Sequence, residues 1–180
     1  MKIFYSLYQY DLDLLLWCTH RYHQKQLTYW AKILSKTGDG YIQIILPTAL
    51  LLINVEHSSA FFMALVICFS FQLPIYWVLK NSLRRDRPSQ AIASFKSFIL
   101  ASDQFSFPSG HSSAAFLLAH ICLLFYGHLA LPLYLWASLV AISRVILGVH
   151  FPSDILAGVA LSLGTLWLSS NYLLPFFFSI

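Results

Sequence analysis

The sequence predicts an all-α protein, a helical bundle that is integral to a membrane. Hydrophobic residues make up 58% of the 180-residue chain and charged residues only 10%, whereas a soluble domain carries about 25% charged residues. The mean hydropathy is +0.68. Several long stretches contain no Asp, Glu, Lys or Arg, which is typical of transmembrane helices. We therefore expect five transmembrane helices, preceded by an N-terminal interfacial helix or a sixth membrane helix.

The N-terminal region, residues 1–39, is predicted to be separate from a transmembrane domain over residues 40–180. Residues 3–19 are apolar apart from two aspartates, so they fit either a sixth, short span or a helix on the membrane surface. Residues 25–36 place three lysines on one helical face and Leu, Trp and Ala side chains on another. This pattern predicts an interfacial amphipathic helix.

The remaining chain divides into five predicted spans. The uncharged run from Gln104 to Ser143 would make a helix of about 60 Å, twice the hydrocarbon thickness. It must therefore turn back once, and Gly127 marks the expected turn. The predicted spans are 41–55, 58–79, 111–127, 130–147 and 155–180.

Following these crossings places three polar segments at one membrane surface. The second span ends at Lys80, the third begins at His111, the fourth ends at Arg144, and the fifth begins just after His150. Successive spans run in opposite directions, so all four ends lie on the same side. Ionisable groups at a membrane are costly and mark a functional site by default.

Two histidines in these segments are candidate catalytic groups. His150 and Asp154 are four residues apart, so they can face each other across one helical turn. A carboxylate bonded to one imidazole nitrogen makes the other nitrogen more nucleophilic, although Asp154 could instead only cap its helix. His111 follows Gly110 at a predicted helix N-terminus, a favourable place for an anion, and could donate a proton to a departing oxygen.

Basic residues in the same segments are candidates for binding phosphate. Lys80, Arg87 and Arg144 can clamp phosphoryl oxygens. Arg84 and Arg85 add positive charge that would suit a diphosphate. The alternative for the residues between 80 and 87 is a basic cluster that flanks a membrane span. The sequence contains neither a metal-binding pattern nor a glycine-rich nucleotide loop.

The three segments together resemble the signature of the type 2 phosphatidic acid phosphatase family. The signature reads Lys-x6-Arg-Pro, beginning here at Lys80, then Pro-Ser-Gly-His, ending at His111, then Ser-Arg-x5-His-x3-Asp, ending at Asp154. The resemblance covers the C-terminal two-thirds of the chain and implies that residues 40–180 form a phosphatase-like transmembrane domain.

The resemblance also implies a role for each site residue. His150 attacks phosphorus and forms a phosphohistidine, Asp154 orients it, and His111 protonates the leaving group. No metal or other cofactor is implied, and nucleic acid is not an expected partner. The phosphate-binding set implied by the family comprises Lys80, Arg87, Ser109, Gly110 and Arg144.

The expected function is that of a membrane lipid phosphatase. Undecaprenyl diphosphate is the first expected substrate. The alternatives are a phosphatase for phosphatidic acid or phosphatidylglycerol phosphate, and a lipid-to-lipid phosphotransferase that uses the same residues. A vanadate haloperoxidase and a non-catalytic membrane scaffold are remote alternatives, because haloperoxidases of this fold are soluble and the motifs are complete.

Two indications of sidedness conflict. In the five-span layout all 11 Lys and Arg residues lie on the side of the site, which the positive-inside rule would place in the cytoplasm. The resemblance to bacterial enzymes that process polyprenyl diphosphate implies a multi-pass protein of the inner membrane whose site faces the periplasm. The basic residues that bind phosphate account for part of the charge, and the expectation of the periplasmic face rests on the resemblance alone.

Overall fold

A computed structural model describes residues 2–21, 25–101 and 103–173, and within these ranges every regular element is helical. Short 3₁₀ and π-helical segments, Gly127–Ala130 and Ser169–Leu173, follow the sixth and the eighth α-helix. The α-helices, in chain order, are α1 (Lys2–Arg21), α2 (Lys25–Thr37), α3 (Tyr41–Leu52), α4 (Ser58–Leu83), α5 (Pro88–Ala91), α6 (Gly110–Tyr126), α7 (Leu131–Ile146) and α8 (Pro152–Leu168).

Three apolar stretches of the described chain are long enough to cross a membrane: Ser58–Ala91, Gly110–Ile146 and Pro152–Tyr172. The shorter apolar helix α3 precedes them. The second stretch reverses at Gly127, as predicted, where a φ of 58° favours glycine. α6 then packs against α7. The count of five or six spans stays a prediction, and residues 174–180 of the last predicted span lie outside the described residues.

The core lies around α6, which packs against α4, α7 and α8. Phe61 and Leu117 are fully buried there, and the Phe61 ring meets the Tyr126 ring edge-on with centroids 5.3 Å apart. Large apolar side chains also point outward, for example Trp77 and Leu156, which are 65% and 70% exposed. Apolar outer faces of this kind fit a bundle surrounded by lipid, which agrees with a multi-pass membrane protein.

A glycine brings α8 close to the beginning of α6. A Cβ on Gly158 would lie 2.6 Å from the carbonyl oxygen of Ser109, so only glycine permits this approach of helix to backbone. Small residues at such crossings are common in membrane helices. The contact places the N-terminus of α8 beside Ser109, whose amide donates to the carbonyl oxygen of Asp154 at 3.0 Å.

The predicted amphipathic helix over 25–36 is present as α2, which packs against α7. Ala31 is buried against Ile146 and Leu147, and the indole Nε1 of Trp136 donates to Thr37 Oγ1 at 2.9 Å. The division of the chain at residue 39 stays a prediction. α2 contacts the helices that carry the motifs.

Candidate active site

The three motif segments, distant in sequence, form one cluster. Arg87 of the first segment donates from Nη1 to the carbonyl oxygen of Val149 in the third, at 2.5 Å. Ser109 of the second donates its amide to Asp154 of the third. The convergence expected from the span order is therefore present in the fold.

His150 is almost completely buried. It follows the turn after α7 and is 2% exposed. Burial lowers the pKa of His150 to about 4; Asp154 opposes the shift, and Arg87 and Arg144 add to it. The imidazole is therefore neutral at physiological pH, which is the form that can attack phosphorus.

The pairing of His150 with Asp154 is looser than a hydrogen bond. His150 Nδ1 lies 3.5 Å from Asp154 Oδ2, and Nδ1 has no hydrogen-bond partner within the described ranges. Asp154 Oδ2 instead accepts the amide of Phe151 at 2.8 Å. The carboxylate thus caps α8 and also lies beside the imidazole, so both sequence-based interpretations describe part of its environment.

Arg85 is bound to two carboxylates. Its Nη1 donates to Asp154 Oδ1 at 2.8 Å, and its Nη2 pairs with Asp11 of α1 at 2.5 Å. Its guanidinium also lies 4.1 Å from the ring centroid of Phe151. These carboxylates balance the charge of Arg85, and the expectation that it adds charge for a diphosphate stays a prediction. Arg84 is exposed and donates from Nε to the carbonyl oxygen of Asn81 at 2.8 Å.

Two of the residues expected to clamp the phosphate, Lys80 and Arg87, bind a carboxylate of the same chain; we call this pair the cationic clamp. Lys80 and Arg87 are both buried, and both form ion pairs with Asp103. Tyr76 donates its hydroxyl to Asp103 Oδ2 at 2.9 Å and accepts from Lys80 at 2.7 Å. Burial alone would raise the pKa of Asp103, but the contacts with Lys80, Arg87 and Tyr76 outweigh it and lower that pKa to about 2. The donors suited to phosphoryl oxygens are thus directed at a carboxylate.

Arg144 is held from the N-terminal region. The residue is 4% exposed, and its Nη1 donates to Ser35 Oγ in α2 at 2.5 Å. Its Nε is buried without a hydrogen-bond partner among the described residues. A buried guanidinium N–H without an acceptor is costly, so this donor is suited to an anionic ligand.

His111 also has a partner from the N-terminal region. Its Nε2 lies 2.7 Å from Oδ1 of Asp39, in the turn between α2 and α3. A Cβ on Gly38 would lie 2.7 Å from Val140 and 3.2 Å from the His111 ring, so glycine lets this turn approach the ring. Asp39 is a hydrogen-bond partner that can orient the imidazole for proton transfer.

Ser109 and Gly110 form the start of α6. Ser109 is fully buried, and its hydroxyl caps the helix at 3.4 Å from the amide of Ser112. A Cβ on Gly110 would lie 2.9 Å from the hydroxyl of Tyr76. Both residues therefore sit at the positive end of α6, beside the tyrosine that joins the clamp.

A cavity of about 330 Å³ opens between α2 and the motif residues. Two of its lining residues, His111 and Arg144, belong to the family signature, and Ile99 and Leu100 come from the loop before α6. The side chains that α2 and its following turn contribute are Lys32, Ser35, Lys36 and Asp39.

Sequence reasoning missed four residues of this site. Tyr76 precedes Lys80 by one helical turn and could have been found from that spacing. Asp103 is the last acid before the long uncharged run, which was also a visible signal. Ser35 and Asp39 carried no signal, because their partners are distant in sequence. No group of three or more His, Cys, Asp or Glu side chains suited to a metal ion occurs among the described residues.

Comparisons with known proteins identify the family. The model of the PAP2 superfamily matches residues 57–177. The Decaprenylphosphoryl-5-phosphoribose phosphatase of Mycobacterium tuberculosis (strain H37Rv) is 37% identical over 84 residues, which are 47% of this chain and 45% of that protein. The chain thus spans less than half the length of this relative.

Two solved structures share the fold. The crystal structure of Aquifex aeolicus LpxE superposes with a TM-score of 0.75 at 25% identity, over 89% of this chain and 94% of that one. The transmembrane PAP2 type phosphatidylglycerolphosphate phosphatase from Bacillus subtilis gives a TM-score of 0.72 at 23% identity, over 93% and 86%. The resemblance in the three motifs is confirmed, and the chain belongs to the PAP2 superfamily.

Proposed function

We propose that this chain is a metal-independent membrane phosphatase that hydrolyses a lipid diphosphate, with undecaprenyl diphosphate as the preferred substrate, through a phosphohistidine. The observation that carries the proposal is the position of His150. A buried, neutral imidazole lies next to Asp154 and within a cluster that contains Arg87 and Arg144. Such a group is suited to nucleophilic attack on a phosphorus whose oxygens are held by cations.

The reaction begins at the nitrogen of His150 that faces away from the carboxylate. Because Nδ1 faces Asp154, Nε2 forms the bond to phosphorus while the bond to the leaving oxygen breaks. His111 gives its proton to that oxygen. Water then attacks the phosphohistidine, His111 accepts the proton of the water, and inorganic phosphate leaves with His150 restored.

The phosphate-binding residues act on the charge that develops during transfer. Lys80, Arg87 and Arg144 lie where they can stabilise the three equatorial oxygens. Ser109 and Gly110 add the positive end of α6. For Lys80 and Arg87 to do so, the substrate phosphate must replace the carboxylate of Asp103. A lipid hydroxyl in place of water would make the same residues a phosphotransferase.

The substrate preference has support from a relative and from the shape of the chain. The relative from Mycobacterium tuberculosis is named for a decaprenyl lipid, which is a polyprenyl phosphate derivative. The segment between α5 and α6 is short and carries Phe95 and Phe98, which pack on apolar clusters near the site. This arrangement favours recognition of the phosphate and the first apolar carbons over a bulky headgroup, and phosphatidic acid and phosphatidylglycerol phosphate remain the comparison substrates.

We place the protein in the bacterial inner membrane with the site toward the periplasm. The relatives with a stated source are bacterial. The basic residues at the site bind Asp103, Asp154 and Asp11 or line the phosphate site. Their number is therefore explained by function, and they give little information about sidedness.

Phosphate release from undecaprenyl diphosphate by the purified protein tests the function. His150→Ala should abolish turnover, and His111→Ala should lower it about 10²–10⁴-fold, as expected of general acid catalysis. His128→Ala, an exposed histidine in the turn between α6 and α7, is the matched control and should be normal. Because the pKa of His150 is lowered to about 4, its neutral form persists in mild acid. The acidic limb of kcat/KM should therefore lie well below pH 6.5. Near-normal turnover by His150→Ala would refute the mechanism.

A further inference from the structure

One face of α2 forms a wall of the active site. Residues 32, 35 and 36 follow the spacing that places side chains on one side of α2, and Asp39 lies in the turn that follows the helix. All four line the cavity of about 330 Å³ that contains His111 and Arg144. α2 lies outside residues 57–177, the part of the chain that the family model matches. These four cavity-lining residues therefore belong to the N-terminal region and are not part of the family signature.

Two of these four residues form polar contacts with side chains of the active site. Ser35 accepts a hydrogen bond from Arg144 at 2.5 Å, and Asp39 lies 2.7 Å from His111. Ser35 is itself 3% exposed, and α2 is fixed on α7 through Thr37 and Trp136. The position of α2 relative to the site is thus determined by these contacts, of which the hydrogen bond from Arg144 to Ser35 is buried.

The other two residues are lysines that have no partner of this kind. Lys32 and Lys36 are exposed, and neither forms an ion pair with another described residue. They lie on the His111 side of the site, whereas Lys80 and Arg87 converge on Asp103. In the proposed reaction His111 protonates the leaving oxygen. The two lysines therefore line the same cavity as the group that protonates the leaving oxygen.

We propose that Lys32 and Lys36 bind a second phosphate group, the one carried by the leaving group. The inference rests on the proposed function and narrows its substrate class. When a lipid diphosphate is cleaved, the bond between the terminal phosphorus and the bridging oxygen breaks. The lipid monophosphate then leaves with negative charge on its phosphate. Cations beside it stabilise that charge as it develops. A phosphatidic acid would release a neutral diacylglycerol, which offers these lysines nothing to bind.

The ion pairs of Arg85 support this assignment. Arg84 and Arg85 were the basic residues expected near a second phosphate. Asp11 and Asp154 bind the guanidinium of Arg85. Arg84 donates to the carbonyl oxygen of Asn81. Lys32 and Lys36 are positively charged, line the cavity and keep their charge unpaired. A second phosphate can come from a polyprenyl diphosphate or from the phosphodiester of phosphatidylglycerol phosphate, which share the same chemistry.

The test compares three lipids with the purified full-length protein. Undecaprenyl diphosphate and phosphatidylglycerol phosphate carry a second phosphate, and phosphatidic acid does not. Lys32→Gln and Lys36→Gln should each lower kcat/KM about 10-fold on the first or the second lipid, since a charge-assisted hydrogen bond contributes about this factor. Activity on phosphatidic acid should change less than about 2-fold, which also shows that the variants fold. Lys25→Gln removes the same charge from an exposed position of α2 outside the cavity and should change none of the three rates.

The pattern of losses decides between the outcomes. A loss confined to undecaprenyl diphosphate identifies a diphosphate, and a loss confined to phosphatidylglycerol phosphate identifies the diester; both support the subsite. Equal losses of kcat/KM on all three lipids would show that the lysines act on membrane binding or folding. No loss on any lipid would show that the lysines do not contribute to substrate binding. Either result overturns the inference while the proposed function stands. If the wild-type protein releases phosphate from none of the lipids, the proposed function itself fails, and the inference fails with it.

Discussion

Replacing Gly158 with alanine should damage the site from a distance, because Gly158 sets the spacing of α6 and α8. The added methyl carbon would lie 2.6 Å from the carbonyl oxygen of Ser109 and 3.2 Å from the amide nitrogen of Ser113. Both are backbone atoms, so no side chain can rotate away and the helices must separate. Overpacking of this kind costs about 1–3 kcal/mol, and the better helix propensity of alanine returns about 1 kcal/mol.

We therefore expect Gly158→Ala to lower the free energy of unfolding by up to about 2 kcal/mol, and Tm by up to about 8 °C for a chain of this size. Turnover should fall at least about 10-fold, since small displacements of reacting groups are costly and Ser109 directly precedes the turn that carries His111. Thermal unfolding and phosphate release would be measured on the same detergent-purified samples.

Gly164→Ala is the matched control on the same helix. A Cβ at Gly164 would meet no atom within 4 Å, so this variant should be neutral or more stable by up to about 1 kcal/mol, with normal turnover. If Gly158→Ala behaves like Gly164→Ala in both measurements, the close approach of α8 to α6 does not position the site, and the reasoning is refuted.

Two further predictions concern the clamp and the orientation. Asp103→Asn removes the charge that Lys80 and Arg87 bind, so vanadate should inhibit this variant about 10-fold more tightly. The contacts of Asp103 lower its pKa to about 2, so the wild-type carboxylate is charged throughout the neutral range. The difference in vanadate inhibition between the wild type and the variant should therefore not vary with pH in that range. Equal inhibition of the two proteins would contradict the idea that Asp103 and vanadate compete for Lys80 and Arg87. In a cysteine-free background, Leu100→Cys, at a position that is 99% exposed, should react with an impermeant thiol reagent on intact cells, while Leu129→Cys in the opposite turn should not. The reverse pattern would place the site in the cytoplasm.

The helices were predictable because membrane spans are determined by local composition. Uncharged runs located α3, α4, α6 and α7 to within a few residues, and a lipid environment requires such runs to be helical. α4 continues through Lys80 to Leu83, beyond the predicted end of its span, because Lys80 is buried and paired with Asp103. A charge that has a partner need not mark the end of a helix.

The acidic partners of the site were not predictable, because they depend on contacts between distant parts of the chain. Asp39 and His111 are 72 residues apart, and Arg85 and Asp11 are 74 apart. Nothing in local spacing distinguishes these aspartates from solvated ones. The carboxylates that bind Arg85 were unpredicted for the same reason: a basic residue near a phosphate motif appears available until its partners are known.

The acids explain how a cationic site can persist near a membrane. Lys80 and Arg87 are each less than 10% exposed, and buried charges without partners are costly. Asp103 satisfies both, and only a ligand that brings more negative charge than one carboxylate can replace it with a gain in free energy. Arg144 keeps an unpartnered Nε, and Lys32 and Lys36 face the same cavity as Arg144. The balance of charge in the site therefore favours a substrate with several negative charges. A lipid diphosphate, the substrate class that we propose, meets this requirement better than a phosphate monoester whose leaving group is neutral.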